Sequence, residues 1–277
     1  MNRLLFTELV QAALREDLPH GDLTSEVIFN DHHSVQAVFR VKESGVIAGL
    51  AVAAEVFQQL DPSVQWEIII PDGNKVKPQT VIAKVSGGVK TILAGERVAL
   101  NFLQHLSGIA TQTARLVELV TPYPAKVIDT RKTTPGLRLL EKYAVRQGGG
   151  MNHRFSLSDA VLIKDNHIAA CGGSITEAIK RVRQKIPHTV KIEVETENKE
   201  QVLEALAAQA DIIMLDNMSI SLMSEMVALI DHRALVEASG MINEQTIHNV
   251  AATGVDLISC GALTHSVKAL DISLDFL

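Results

Sequence analysis

The chain has 277 residues, of which 47% are apolar, enough for the core of one large domain or two smaller ones. Its 32 acidic residues against 26 lysines and arginines give a formal net charge of −6, which argues against a nucleic-acid partner. Two cysteines without CxxC spacing argue against a disulfide framework, and no run approaches the roughly eighteen apolar residues of a membrane span. Because the N-terminus also lacks the pattern of a secretory signal, we expect a cytoplasmic protein.

The first hundred or so residues predict a mixed α+β region. "LLFTELVQAALRED" has helical apolar spacing, whereas "SVQAVFRV", "VQWEIII" and "TVIAKVSGGV" read as strands separated by turn signals such as Pro71-Asp72-Gly73. "TILAGERVALNFLQHLSGIATQTARLVELV" then predicts a long helical stretch, interrupted near Ser107-Gly108.

From about Lys126 the sequence alternates between short apolar runs and helical segments. Each run ends in polar residues: Asp129 and Arg131, Lys164, Glu193 and Glu195, Asp216, Glu237 and Ser239, and Ser259 and Gly261. Alternation of this kind predicts a parallel sheet covered by helices. At least six units without a Gly-rich dinucleotide motif favour a closed or nearly closed α/β barrel. Its strand ends would then share one mouth.

Basic residues are concentrated in "DTRKTTPGLRLLEKYAVRQGGGMNHR", in spite of the acidic chain. Arg131 and Lys132 follow one strand, Arg154 follows the triple glycine, and Lys164 ends the next strand. Several cations around one mouth predict a small ligand with several anionic groups. Arg138, Lys142 and Arg146 recur at four-residue spacing on a predicted helix, and we expect them on a solvated or interface face.

Carboxylates supply the opposite charge. Glu193 and Glu195 alternate onto the same side of one strand, and Asp216 ends the next. Hard oxygen ligands without a Cys/His cluster suit Mg²⁺ shared with a diphosphate better than zinc. The sequence has no nucleophile motif, and Cys260 is expected to be a packed core residue. The glycines before His153 could approach a phosphate, but three glycines alone are weak support.

The chain resembles quinolinate phosphoribosyltransferase, also called carboxylating nicotinate-nucleotide pyrophosphorylase. The resemblance rests on the basic stretch above and on "DAVLIKDNHI", "IEVE", "IIMLDN", "EASG" and "GALTHSVKALDISLDF", with "ALREDLPHGDLTSE" and "ERVALNFLQHLSGIAT" in the amino-terminal part. These motifs occur in the expected order over nearly the whole chain, and the central one is long and specific.

The resemblance implies a two-domain homodimer with active sites completed across the interface. An N-terminal α/β sandwich over residues 1–108, completed by about 266–277, would accompany an open, TIM-like α/β barrel of about seven strands over 109–265. The implied reaction joins quinolinate to phosphoribosyl pyrophosphate with Mg²⁺ and gives nicotinate mononucleotide, diphosphate and carbon dioxide, a step of de novo NAD synthesis.

The family's site residues carry over to matching positions. Quinolinate contacts fall on Arg97, Arg131, His153, Arg154 and Lys164, and phosphoribosyl pyrophosphate contacts fall on Lys132, Ser239, Gly240 and Gly261. Catalytic roles fall on Lys132, Lys164, Glu193 and Asp216, the last two also as metal ligands. Met241 departs from the small residue of many relatives. Two alternatives remain open: a molybdenum-transport-associated paralogue of the same fold, and a non-catalytic barrel that binds phosphorylated metabolites.

Overall fold

A computed structural model describes residues 2–30 and 32–277, and the fold consists of two compact units. The helices are α1 (Thr7–Asp17), α2 (Leu23–Ile28), α3 (Leu50–Leu60), α4 (Val89–Val120), α5 (Arg138–Gln147), α6 (Asp165–Ala170), α7 (Ile175–Arg183), α8 (Lys199–Ala207), α9 (Ile220–Ile230), α10 (Ile247–Ala251) and α11 (Ala262–His265). The strands are β1 (Ser34–Val41), β2 (Gly45–Val46), β3 (Gln65–Ile68), β4 (Lys75–Val76), β5 (Val81–Gly88), β6 (Lys126–Ile128), β7 (Val161–Ile163), β8 (Ile192–Thr196), β9 (Ile212–Asp216), β10 (Leu235–Ser239), β11 (Leu257–Ser259) and β12 (Ile272–Phe276).

The first unit comprises residues 1–114, 134–149 and 266–277. Its main sheet is antiparallel, with strand order β12-β1-β5-β3. The C-terminal strand β12 pairs with β1 from Ala37–Phe276 to Val41–Ile272, so the end of the chain completes the N-terminal sheet. The rings of Phe39, Phe57 and Trp66 pack together with centroids 5.2 to 6.1 Å apart and form an aromatic centre of the core.

Helix α5 also belongs to the first unit, and its end explains one glycine of the triple. A Cβ on Gly148 would come 2.4 Å from the carbonyl oxygen of Ala110 on α4, so only glycine allows this close approach. Gly148 therefore serves helix packing. The predicted solvated or interface face is wrong for Lys142, whose side chain is fully buried, although Arg146 is exposed. Four-residue spacing identifies a shared helix face but not what covers it.

The second unit, residues 115–133 and 150–265, contains the parallel sheet that the alternating pattern predicted. Its strand order is β6-β11-β10-β9-β8-β7, and all five neighbouring pairs are parallel. The sheet has six strands instead of the expected seven. A single parallel bridge between Ile128 and Met151 extends the β6 edge without forming a further strand.

The two units divide the chain differently from the predicted boundaries in two places. The boundary expected near residue 108 lies inside α4, which runs through to Val120. Residues 134–149, which we expected in the barrel domain, group with the first unit. Within the described ranges, no helix has both the length and the apolar composition needed to cross a membrane.

Candidate active site

A cavity of about 720 Å³ opens where the six parallel strands of the second unit end. Every strand contributes to its wall, either by its last residues or by the loop that follows. The lining includes Arg131, Lys132, His153, Arg154, Lys164, Glu195, Asp216, Asn217, Glu237, Ser239, Gly240, Met241, Ser259, Gly261 and His265. Parallel strands bring their carboxyl ends to the same edge, which is why residues 130 positions apart meet here.

The cavity collects all the predicted site residues except Glu193 and Arg97. Arg97 is exposed on α4 in the first unit. Glu193 is 3% exposed and does not line the cavity. The four cations that the sequence singled out, Arg131, Lys132, Arg154 and Lys164, therefore line the same cavity, as their strand-end positions predicted.

Arg154 is held by its own loop. Its Nη1 donates to the carbonyl of Ala160 at 2.8 Å, and its backbone N–H donates to Nδ1 of His153 at 2.7 Å. Burial and the neighbouring Arg131 guanidinium lower the pKa of Arg154 from its ordinary value, while Glu193 opposes that effect. Two guanidiniums kept this close repel each other, so a dicarboxylate bound between them would relieve the repulsion.

Lys164 belongs to the carboxylate side of the cavity. Its Nζ lies 3.6 Å from Oε2 of Glu195, one strand away on β8. Burial raises the pKa of Glu195, Lys164 lowers it, and the charge of Asp216 raises it further. Glu195 and Asp216 thus form the acidic pair of the cavity, with Oδ2 of Asp216 accepting from the Asn217 amide at 2.7 Å.

The sheet register separates Glu193 from Asp216, the two residues that the resemblance implies as metal ligands. In the sheet register Glu193 lies opposite Ile212, four residues before Asp216, whereas Glu195 lies opposite Met214, only two residues before it. At about 3.3 Å per residue, Glu193 and Asp216 are about 13 Å apart along the strands, too far for direct ligation of one ion. Glu195 and Asp216 both line the cavity, whereas Glu193 does not, so a pairing of Glu193 with Asp216 on one Mg²⁺ would run through waters.

Glu193 instead forms a buried cluster with His153 and Glu237. Nε2 of His153 is 3.0 Å from Oε2 of Glu193 and 3.8 Å from Oε2 of Glu237. The backbone N–H of His153 donates to Oδ1 of the buried Asp129 at 2.8 Å, which anchors the loop. Burial, and after it the charge of Glu193, raises the pKa of Glu237 to about 8.

The loops after β9, β10 and β11 form the remaining wall. Gly240 has φ of +100°, and a Cβ there would lie 2.0 Å from Oδ1 of Asn217, so glycine is required twice over. Met241 follows with φ of +49°, which is uncommon for a residue with a side chain. At Gly261, a Cβ would be 3.1 Å from Cδ of Lys132, so a larger residue would crowd the lysine side chain.

Several residues that line the cavity were not among the site residues assigned from sequence. Glu237 and Ser259 were recognised only as strand-end polar residues, and Glu195 only as one of the carboxylates suited to Mg²⁺. Asn217 and His265 were not singled out at all. Asn217 follows Asp216 directly, with φ of +53°, and His265 ends the short helix after Gly261. The signal that could have identified them is their position. Asn217 lies one residue beyond a strand end, and His265 lies one turn into the helix that follows a strand.

The cavity pairs a cationic wall with an acidic wall at the carboxyl edge of a parallel sheet and offers close backbone approach at two glycines. Within the lining there is no cysteine–histidine pair suited to a covalent enzyme intermediate, because the buried Cys260 has its pKa raised by burial. These features are those of an α/β enzyme whose cavity suits a polyanionic substrate.

The chain belongs to the quinolinate phosphoribosyl transferase family. It matches the C-terminal domain model of that family over residues 109–275 and the N-terminal domain model over 22–107. A "Probable nicotinate-nucleotide pyrophosphorylase [carboxylating]" of Bacillus subtilis is 49% identical, with 99% of this chain and 94% of the relative covered. The Synechocystis protein of the same name is 47% identical, with 96% and 90% covered.

Solved structures agree with this assignment. NadC from Streptococcus pyogenes superposes with a TM-score of 0.96 at 45% identity and covers 100% of this chain and 99% of its own. The nicotinate-nucleotide pyrophosphorylase from Francisella tularensis also gives a TM-score of 0.96, at 41% identity, with 100% and 98% covered.

Proposed function

We propose that this protein transfers the phosphoribosyl group of phosphoribosyl pyrophosphate to quinolinate with decarboxylation, as a step of NAD biosynthesis. The products are nicotinate mononucleotide, diphosphate and carbon dioxide. The observation that carries this assignment is the division of one cavity into a cationic wall around Arg131 and Arg154 and an acidic wall formed by Glu195 and Asp216. The first suits the two carboxylates of quinolinate, and the second suits a metal-bound diphosphate.

The cationic wall binds and orients quinolinate. Arg131 and Arg154 present planar guanidiniums that can each grip a carboxylate through two parallel hydrogen bonds. Lys164, which follows β7, adds a positive point charge. Its ion pair with Glu195 can be replaced by an ion pair with a substrate carboxylate. His153 keeps its predicted place at the quinolinate side, but both of its ring nitrogens contact protein groups, so it supports Arg154 more directly than it reaches the substrate.

The opposite wall receives phosphoribosyl pyrophosphate. The backbone of Ser239, Gly240 and Gly261 lies open to phosphate oxygens, and Lys132 extends past Gly261 toward the same space. Mg²⁺ bound between Glu195 or Asp216 and the diphosphate would neutralise charge on the leaving group. Lys132 and Lys164 stabilise that same negative charge as it develops.

The bond changes need no covalent enzyme intermediate. The quinolinate ring nitrogen forms a bond to ribose C1′ as the bond from C1′ to diphosphate breaks and diphosphate leaves with the electron pair. The ring nitrogen is then positively charged. The bond from C2 to its carboxylate breaks next, carbon dioxide leaves, the electron pair remains at C2 beside the cationic nitrogen, and a proton takes the vacated position. The cationic wall holds the second carboxylate throughout.

We further propose an open barrel, a homodimer and a cytoplasmic location. The barrel is supported by the cavity, because the first and last strands of the six-stranded sheet, β6 and β7, both contribute to it, as in a curved sheet. The pairing of β12 with β1 supports an N-terminal sandwich domain completed by the end of the chain. A homodimer would allow Arg97 to reach a partner's cavity.

The direct test is an assay with quinolinate, phosphoribosyl pyrophosphate and Mg²⁺. Nicotinate mononucleotide and carbon dioxide should form in equal amounts, and omission of any one component should stop the reaction. A folded protein that binds phosphoribosyl pyrophosphate but leaves quinolinate unchanged would refute the assignment and favour a paralogue or a binding protein.

Mg²⁺ dependence gives a sharper test of the acidic wall. We expect excess chelator to abolish turnover, and Glu195→Gln or Asp216→Asn to lower it by at least about tenfold, because each removes a charged oxygen donor. Added Mg²⁺ should partly restore the variants. Glu197→Ala is the matched control, since Glu197 lies two residues beyond Glu195, is exposed and does not line the cavity. Full activity in excess chelator would show that the reaction does not require a metal.

A further inference from the structure

Asp129, directly after β6, is a fully buried aspartate that does not line the cavity. Burying a carboxylate is costly unless hydrogen bonds from the protein replace those of water. Oδ2 of Asp129 accepts the side-chain amide of Asn152 at 2.6 Å, and Oδ1 accepts the backbone N–H of His153 at 2.8 Å. Both donors lie in the segment that follows the triple glycine, so this carboxylate fastens that segment to the end of β6.

The carboxylate continues a short stretch of backbone pairing. The N–H of Met151 donates to the carbonyl of Val127 at 2.9 Å, and the N–H of Asp129 donates to the carbonyl of Met151 at 3.2 Å. A regular parallel ladder would continue with the N–H of His153 donating to the backbone carbonyl of Asp129. That N–H donates to the Asp129 side chain instead. The side chain therefore holds the segment at the point where strand pairing stops.

The two joined segments carry the two guanidiniums of the cationic wall. Arg131 lies two residues after Asp129, Arg154 follows His153 directly, and both arginines line the cavity. Like charges that face one space repel each other, so attraction between the two side chains cannot set their spacing. The backbone beneath them must do so. Quinolinate has its two carboxylates on adjacent ring carbons, and two rigid guanidiniums can bind both only at a matching separation.

We propose that Asp129 is a positioning residue that sets the separation of Arg131 and Arg154 and thereby the affinity for quinolinate, an inference that rests on the proposed function. Asp129 does not reach the substrate. It acts on Arg154 through its hydrogen bond to the backbone of His153, and on Arg131 through the chain that leads from the end of β6. Its bond to the Asn152 side chain keeps the carboxylate in this orientation.

Lys132, on the phosphoribosyl pyrophosphate side, has anchors of its own. Its carbonyl accepts the hydroxyl of the buried Thr264 at 2.7 Å, and its N–H donates to Oγ1 of Thr130 at 3.0 Å. These bonds remain when the Asp129 carboxylate is changed. We therefore expect disturbance of Asp129 to weaken quinolinate binding and to leave phosphoribosyl pyrophosphate binding nearly unchanged.

Asp129→Asn tests this role at almost constant volume. If the carboxamide oxygen still accepts from His153, its NH2 group faces the NH2 group of Asn152, and two donors cannot bond to each other. We expect the KM for quinolinate to rise about ten- to hundredfold and the KM for phosphoribosyl pyrophosphate to stay within about twofold of wild type. The exchanged pair, Asp129→Asn with Asn152→Asp, restores one donor and one acceptor. It should return the KM for quinolinate to within about fivefold of wild type.

Asp256→Asn is the matched control. Asp256 precedes β11 at the opposite edge of the sheet, is half-buried, and accepts the backbone N–H of Val236 at 2.8 Å without lining this cavity. We expect its kinetics to match wild type even where thermal unfolding shifts. If Asp129→Asn does not fold, Asn152→Ala removes the same side-chain bond from a half-buried position, and calorimetric titration should show weaker quinolinate binding.

Three results would overturn the proposal. The first is an unchanged affinity for quinolinate in folded Asp129→Asn or, in its place, Asn152→Ala. The second is an equal rise in the KM of both substrates, which a general loss of structure would cause. The third is an exchanged pair that is no better than Asp129→Asn alone. A wild-type protein that does not convert quinolinate would instead count against the proposed function.

Discussion

Lys164→Ala and Arg154→Ala should each reduce turnover by about one to two decades while the protein remains folded. Loss of a charge-assisted hydrogen bond costs roughly 1.5–3 kcal/mol, and about 1.4 kcal/mol corresponds to tenfold. The Lys164 side chain is partly exposed at the cavity. Its removal leaves only Glu195 without its ion-pair partner, and water can reach that carboxylate. Initial rates with both substrates varied, together with thermal unfolding, measure the two effects separately.

Lys191→Ala is the matched control for the lysine. Lys191 precedes β8 at the opposite edge of the same sheet, where its Nζ is 3.1 Å from Oδ1 of Asp211. The Lys191→Ala variant loses the same charge and a similar surface ion pair. Such a pair contributes at most about 1 kcal/mol to stability. We expect the variant to retain turnover. Kinetics near wild type for both Lys164→Ala and Arg154→Ala would place the active site elsewhere.

The sequence could predict the parallel sheet and its common edge because strand and helix lengths impose a repeat. The polar residues after each apolar run mark where the chain reaches that edge, and the structure brings Arg131, Lys164 and Asp216 together there. This reasoning uses only the direction of the strands, which the repeat determines.

Depth within the cavity could not be predicted in the same way. Glu193 and Glu195 point to the same side of β8, about 6.6 Å apart along the strand, and period-two alternation does not tell which of them is near the opening. The register with β9 decides it, and register depends on packing between strands. Lys142 shows the same limitation for helices, since its spacing matched that of the exposed Arg146 but its side chain is fully buried.

Neither the strand–helix repeat nor residue spacing could predict a role for Arg97, because its proposed role depends on a second copy of the chain. It is exposed on α4 in the first unit and, among the described residues, is not part of the cavity lining. An exposed arginine on a helix is ordinarily a solvated residue whose replacement changes stability by less than about 0.5 kcal/mol. The family resemblance instead predicts that it contacts quinolinate in a partner's barrel, so Arg97→Ala should fold normally and be nearly inactive.

Mixing inactive variants tests this action in trans. In a dimer of one Arg97→Ala chain and one Lys164→Ala chain, one site receives both lesions and the other receives neither, so activity should return to about half of wild type per mixed dimer. Arg154→Ala mixed with Lys164→Ala is the control, because both residues line the cavity of one chain and every site keeps a lesion. Subunit exchange is followed with mass-tagged chains. If exchange is complete and the first mixture stays as inactive as the control, Arg97 acts within its own chain or only in folding.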